Sequence, residues 1–235
     1  MRFHECSKRG YGNMNAVFFD LDGTLIDSRL DLTAAVNHTR RDLSLGELPV
    51  EAVLANVGRG ARYLLQNSIP ESKVAFEEIW PVFSAHYVEH MLDNTELYPG
   101  VADTLAELDR RGWKMGVNTN KPSFATGKIL EHLGIARYFG RGVVAGGDCA
   151  EMKPSALPLR ECAARIGHVL DADDWMVGDS WADMQCAEAA GVKGAFCEFG
   201  FGELRASRCD ARLDRFERLL DVLPLAKGRS AIAKG

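Results

Sequence analysis

The stretch V-F-F-D-L-D-G-T-L-I-D-S, Val17 to Ser28, is an apolar run that ends in Asp20 and Asp22, followed at once by a glycine and a hydroxyl residue. Its first residues have the character of a buried strand. Alternate residues of a strand share a face, so carboxylates at i and i+2 are expected to point the same way, and a turn at Gly23 leaves both exposed at the carboxyl end of a sheet. Open α/β sheets bind their ligands at that edge. The same letters also describe a strand ending in a polar Asp-Gly turn, so the rest of the chain must discriminate between a site and a turn.

Working outward, five short apolar segments read as buried parallel strands: Ala16 to Phe19, Lys114 to Asn118, Gly142 to Ala145, Trp175 to Val177 and Gly194 to Cys197. Helix-period stretches separate them: Val101 to Arg111, Ala125 to Leu133, Leu157 to Ile166 and Ala182 to Ala190, each followed by a glycine where a helix C-cap is expected. Strands alternating with helices imply an α/β fold, a Rossmann-like parallel sheet flanked by helices on both faces. Between Leu30 and Leu97 the alternation stops and only helix-like patterns remain, interrupted at Gly58-Arg59-Gly60 and broken at Pro81. So long a segment is no loop of a compact domain. The expected organisation is a core from 15–28 and 98–225, an inserted α-helical cap over 29–97, a disordered extension over 1–14 and a flexible tail over 226–235. The cap would stand over Asp20 and Asp22, excluding water and selecting substrate.

Composition bounds the function. The chain has 235 residues, 46% apolar, enough for a substantial core, and a net charge of −5 that gives no long-range attraction to nucleic acid or anionic lipid. No apolar stretch approaches bilayer length, and the polar opening MRFHECSKRGYGNMN lacks the core of a signal peptide, so the expected location is the cytoplasm. Cys6, Cys149, Cys162, Cys186, Cys197 and Cys209 show neither a C-x-x-C pair nor zinc-like spacing, in keeping with reduced, packed thiols. Neither a heptad seam nor an exposed apolar strand stands out, so no oligomeric state is read.

Three further polar groups fall at the ends of later strands: Thr119-Asn120-Lys121 after the second, Lys153-Pro154 after the third, and Gly178-Asp179-Ser180-Trp181-Ala182-Asp183 after the fourth. Singly, each has an ordinary explanation as a cap, a solvated lysine or a turn. Together with Asp20 and Asp22, Asp179 and Asp183 make an oxygen-rich cluster suited to a hard cation such as Mg²⁺, whose shell a phosphate can complete. Opposite unit charges about 4 Å apart attract by roughly 4 kcal/mol at an effective dielectric near 20, so a metal and a lysine offset much of the carboxylate–phosphate repulsion.

These motifs resemble the haloacid dehalogenase superfamily, and within it the phosphoglycolate phosphatase-like branch with a helical cap. The resemblance rests on D-L-D-G-T-L-I-D-S at 20–28, T-N-K at 119–121, K-P at 153–154 and V-G-D-S-W-A-D-M at 177–184, and spans about Ala16 to Gly202. V-G-R-G-A-R at 57–62 and Y-P-G-V at 98–101 are similar to that branch's cap and cap-exit segments. The resemblance implies Asp20 as the nucleophile that forms an aspartyl-phosphate, and Asp22 as the acid that protonates the leaving alcohol and then the base that activates water. It further implies phosphoryl binding by Thr119 with the Asn120 amide nearby, charge stabilisation by Lys153, and Mg²⁺ on Asp20, the Asp22 carbonyl and Asp179. Asp183 is either a ligand through water or an orienter. Dehalogenases of the superfamily lack the second aspartate, and Thr24 resembles the phosphatases where sugar phosphomutases carry valine. The implied substrate is a small phosphorylated metabolite, with phosphoglycolate the default and a phosphosugar mutase the main alternative.

Two rivals belong to other classes. His86-Tyr87-Val88-Glu89-His90 matches the H-x-x-E-H zinc pattern, with both histidines on one helix face, although no distant acidic third ligand is evident. A non-catalytic binding module on an enzyme-like fold is the other. Arg59 and Arg62, beside the cap glycines, are candidates to reach a second anionic group on the substrate, or are plain surface charges.

Overall fold

The computed structural model describes residues 15–223. The expected extension over 1–14 and tail over 226–235 lie outside the described residues. Strand β1 (Ala16–Phe19) and a two-residue strand β2 (Ile26–Asp27) precede four helices, α1 (Arg29–Asp42), α2 (Val50–Leu54), α3 (Ala61–Ser68) and α4 (Phe76–His90), and β3 (Glu96–Leu97) ends that segment. Next come α5 (Val101–Arg111), β4 (Lys114–Pro122), α6 (Ser123–His132), β5 (Val143–Gly146), α7 (Leu157–Arg165) and β6 (Trp175–Gly178). The chain continues through α8 (Trp181–Ala190), β7 (Lys193–Cys197), β8 (Ala211–Leu213) and α9 (Leu219–Val222).

Six strands form a parallel sheet in the order β5-β4-β1-β6-β7-β8. All five expected strands are in it, and β8 extends one edge beyond them. Residues of β1 alternate between two cores: Val17 and Phe19 pack with α5 and α6 residues such as Leu105 and Ile129, whereas Ala16 and Phe18 pack with Leu159 and Cys162 of α7 and Cys186 of α8. Helices therefore cover both faces, and the period-two burial holds β1 in register between its neighbours. Burying each of the larger ones, such as Val17, Phe18 and Phe19, contributes roughly 1.5–3 kcal/mol. The chain runs from β1 to β4 on one side and reaches β6 on the other, so the carboxyl end of β1 is a topological switch point, where side chains from separate strands converge around a crevice.

The segment that breaks the alternation is helical, as expected, and its two ends are tied together. Ile26 pairs with Leu97 and Asp27 with Glu96 in an antiparallel ribbon. Behind it, the buried carboxylate of Asp31 accepts hydrogen bonds from the backbone N–H of Asn94 and of Thr95 and from their side chains. Pro81 does not break the helix: it lies inside α4. Ile79, Phe83 and Tyr87 recur at i, i+4 and i+8 and are all buried, so packing along this face outweighs the backbone hydrogen bond that a proline removes. Trp80 reaches across to Phe124 of α6, ring centroids 6.0 Å apart, and joins the helical segment to the end of β4.

Candidate active site

At the end of β1, Asp20 is buried and bonded on several sides. Its Oδ1 accepts the Leu21 N–H at 2.7 Å and lies 2.8 Å from Lys153 Nζ, and the Thr119 hydroxyl also hydrogen-bonds its carboxylate. Lys153, brought in from the loop after β5, is bonded at the same time to Asp183 Oδ1 at 2.6 Å. Burial opposes the charge on Lys153, but Asp183 and Asp20 outweigh it and hold the ammonium above its ordinary pKa. Burial pushes the Asp20 carboxyl up to about 6, against the pull of Lys153.

Strand β4 runs on past Asn118, where the sequence reading ended it, and its pairing with β5 shifts register between Asn118 and Pro122. Such an irregularity re-aims side chains, and here three consecutive residues go three ways. Thr119 turns to Asp20. Asn120 accepts the Lys153 N–H at 2.9 Å and donates from Nδ2 to Lys153 O at 3.1 Å and to Gly58 O at 2.9 Å. Its amide, expected beside the phosphoryl group, is thus fully engaged: it fixes the Lys153 backbone and ties the 57–60 loop to the sheet edge. Lys121, which the sequence reading quoted without giving it a role, is buried and donates to Asp22 Oδ1 and Oδ2 at 2.8 and 3.1 Å.

Asp20 and Asp22 line the same cleft, but they do not share a strand face. β1 stops at Phe19, and Leu21 O then accepts from Thr24, Leu25 and Ile26 in a tight turn that holds Asp22 outside the strand. The two carboxylates consequently have different partners, Lys153 for Asp20 and Lys121 with Ser28 Oγ (2.6 Å) for Asp22. The i and i+2 rule applies within a strand, and here the strand ends one residue too early for it.

Asp179, at the end of β6, is enclosed by backbone. Its Oδ2 accepts the N–H groups of Phe201 (3.0 Å) and Gly202 (2.8 Å), and a Cβ added at Gly23, Gly200 or Gly202 would run into it. Asp183 accepts the Ser180 N–H and hydroxyl on Oδ2 while holding Lys153 on Oδ1. This closes a capping box that starts α8. Oxygens of Asp20, Asp179 and Asp183 lie within 4.8 Å of one another. Burial, then Asp183 and Asp20, raise the Asp179 carboxyl well above its ordinary range. With all four carboxyls ionised, the two ammonium groups leave two formal negative charges at the site, which one divalent cation balances. The all-oxygen donor set fits a hard ion such as Mg²⁺.

The cleft between this edge and the helical segment holds about 500 Å³ including its mouth. Arg59 lies at its margin, stacked on Tyr63 with its guanidinium 3.7 Å from the ring centroid and 5.7 Å from that of Trp181. Arg62 is not brought to the cleft: it is exposed, pairs with Glu77 at 2.9 Å and covers Phe76. His86 and His90 bond Asp42 and Asp93 at 2.7 and 2.9 Å on another surface. Among the described residues, the one group of acidic, histidine and cysteine side chains whose ligand atoms converge is Asp20, Asp179 and Asp183. No helix of the described residues is long and apolar enough to cross a membrane.

The arrangement has counterparts. Residues 17–197 match the family model described as haloacid dehalogenase-like hydrolase. The chain is 34% identical over 218 residues to a phosphoglycolate phosphatase of Chromobacterium violaceum, covering 90% of this chain and 97% of that one. It is 36% identical over 217 residues to phosphoglycolate phosphatase 1 of Pseudomonas aeruginosa, covering 89% and 79%. A crystal structure described as a predicted phosphoglycolate phosphatase from Haemophilus somnus superposes with a TM-score of 0.84 at 28% identity, over 92% of this chain and all of that one. With a matching family model across most of its length and relatives above 30% identity, the chain belongs to the haloacid dehalogenase-like hydrolases.

Proposed function

We propose that the protein is a Mg²⁺-dependent phosphatase that hydrolyses a small phosphomonoester through an aspartyl-phosphate on Asp20. The observation that carries this is the bonding of one buried carboxylate, Asp20, to a buried lysine and a threonine hydroxyl from two other strand ends, with a second carboxylate in the same cleft. A carboxylate so held is positioned to attack, and cationic and hydroxyl groups aimed at the same point stabilise charge as it develops on phosphoryl oxygens.

In the first step an Asp20 oxygen bonds to phosphorus as the ester oxygen leaves, and Asp22 gives that oxygen its proton. In the second, Asp22 takes a proton from water as the water oxygen attacks phosphorus, which releases phosphate and restores the Asp20 carboxylate. Thr119 binds the transferring group by its hydroxyl. Lys153 offsets charge on nucleophile and phosphoryl oxygens, and Asp183 positions Lys153. Asp20, Asp179 and the Asp22 carbonyl would hold Mg²⁺, which supplies charge neutralisation when bound. The helices over 29–97 act as a cap that screens the reacting atoms from bulk water. The names of the relatives make phosphoglycolate the first ester to test. Phosphate release from a panel of phosphoglycolate, sugar phosphates, nucleotides and pyrophosphate, with Mg²⁺ and with chelator, is expected to show metal-dependent hydrolysis that Asp20→Asn abolishes. Isomerised sugar phosphate as the product, or no turnover of any ester, would sink the proposal.

A further inference from the structure

The H-x-x-E-H pattern of the helical segment takes no part in the steps above, and the structure sets it opposite two further metal-ligand types. α1 and α4 pack against each other. α4 turns Tyr87 to the cleft and carries His86 and His90 on another face, one helical turn apart. Across from them α1 carries His38 and Asp42, also four residues apart. The His38 ring meets both partner rings edge-on, its centroid 5.3 Å from that of His86 and 5.5 Å from that of His90. Asp42 Oδ2 lies 2.7 Å from His86 Nε2, and Asp93 Oδ2 lies 2.9 Å from His90 Nδ1. All three imidazoles are half-buried, so an ion has a way in from solvent.

We propose that His38, Asp42, His86 and His90 form a tetrahedral Zn²⁺ site that clips α1 to α4. Three imidazoles and one carboxylate make a donor set that suits Zn²⁺, and helical bundles build metal sites from side chains on facing helices in this way. With about 2.0–2.1 Å from metal to nitrogen, two imidazoles on one tetrahedral ion have ring centroids about 5 Å apart, close to the spacings His38 makes with His86 and His90. The ligand atoms are spread more widely than those of Asp20, Asp179 and Asp183. Turning an imidazole about its Cβ–Cγ bond, a soft torsion, re-aims the nitrogens and leaves the ring centre in place. On binding, Zn²⁺ takes the place of the proton between His86 Nε2 and Asp42 Oδ2, and that proton passes to solvent. Asp93 stays outside the ligand set. By accepting from His90 Nδ1 it orients the ring and leaves Nε2 as the ligand atom, the arrangement common behind metal-bound histidines. Without a metal the same contacts are half-exposed ion pairs, which contribute little to holding two helices together.

The test uses the full chain without a polyhistidine tag, in excess Mg²⁺ so that the carboxylate cluster at the sheet edge competes less for zinc. Calorimetric titration with Zn²⁺ is expected to show one equivalent bound, with a rise in Tm. Co²⁺ in place of Zn²⁺ should give the intense visible bands of a tetrahedral ion, which an octahedral all-oxygen site does not produce. His38→Ala and His90→Ala each remove a ligand from a half-buried surface position. Each should abolish those bands and lower Zn²⁺ affinity by about a hundredfold or more, since even an outer partner of a ligand is worth about ten- to a hundredfold. The wild-type Co²⁺ spectrum keeps the test decisive if a variant does not fold. Only weak octahedral bands in the wild type, or bands and Zn²⁺ affinity unchanged in His38→Ala, would overturn the site. Both readouts are independent of turnover, so neither result bears on the phosphatase proposed above.

Discussion

Lys121 Nζ and the Asp22 carboxylate form a buried, two-pronged ion pair, at 2.8 and 3.1 Å, between residues 99 positions apart in the chain. The pair fixes Asp22 where the turn after β1 would otherwise leave it free. Removing one partner of such a pair strands the other charge. Lys121→Met is therefore expected to cost about 3–5 kcal/mol of folding stability. Urea titrations of the variant and the wild type measure it, and a loss under about 1 kcal/mol would show the pair to be solvated.

Stability of the metal-free protein should depend on pH in an unusual direction. Burial raises the Asp20 carboxyl from 3.8 to about 6 and also raises the Asp179 carboxyl well above its ordinary range. A carboxyl whose folded pKa exceeds its unfolded value stabilises the fold fully below the unfolded value, and that contribution is lost as pH rises through the folded value. From these groups the chelated protein loses stability as pH rises above about 4, through about 6 for Asp20 and onward as Asp179 ionises. A divalent ion needs the ionised ligands and rewards their deprotonation. The rise in Tm on adding Mg²⁺ should consequently grow from pH 5 to pH 8, and a rise independent of pH would contradict this assignment of the ligands.

Gly202 brings its N–H to Asp179, and a Cβ there would lie 2.6 Å from the Asp179 carbonyl oxygen. Gly202→Ala is expected to weaken the apparent Mg²⁺ affinity in activity titrations by about tenfold, the usual range for disturbing a group that orients a metal ligand. An unaltered Mg²⁺ dependence would show that the 200–202 loop yields without moving Asp179.

Asp31 joins the start of the helical segment to its exit through the Asn94 and Thr95 backbone. Asp31→Ala leaves those buried donors without an acceptor. The expected destabilisation is about 2–3 kcal/mol by chemical denaturation, since hydrogen bonds to a charged group are involved. A change within about 0.5 kcal/mol, typical of a surface site, would argue that water replaces the carboxylate.

Much of the fold is legible in local pattern. The four helices between core strands end at Arg111, His132, Arg165 and Ala190, within a residue of where the glycine stops put them. β8 escapes notice because Ala211-Arg212-Leu213 is a three-residue edge strand without an apolar run, and the two-residue β2–β3 ribbon exists only through pairing across the helical segment. Pro81 misleads because a propensity rule yields to the buried Ile79, Phe83 and Tyr87 face. The candidate site divides in the same way. Asp20, Thr119, Lys153 and Asp179 announce themselves as polar residues at strand ends, whereas Lys121 and Tyr87 do not. Lys121 is the last letter of T-N-K, yet its partner is set by the β4 register shift, and Tyr87 reads as one more aromatic on an apolar helix face. The Gly200 and Gly202 cradle of Asp179 likewise forms only when β6 and the segment after β7 come together.

Chemical trapping at Asp20 tests the proposed reaction most directly. Enzyme quenched during turnover of phosphoglycolate with Mg²⁺, then reduced with borohydride and digested, should yield homoserine at position 20, because borohydride reduces an acyl phosphate and not a free carboxylate. Homoserine should be absent when substrate is omitted. Steady turnover with no modification at Asp20, together with retained activity in Asp20→Asn after deamidation has been excluded by mass analysis, would contradict the covalent mechanism.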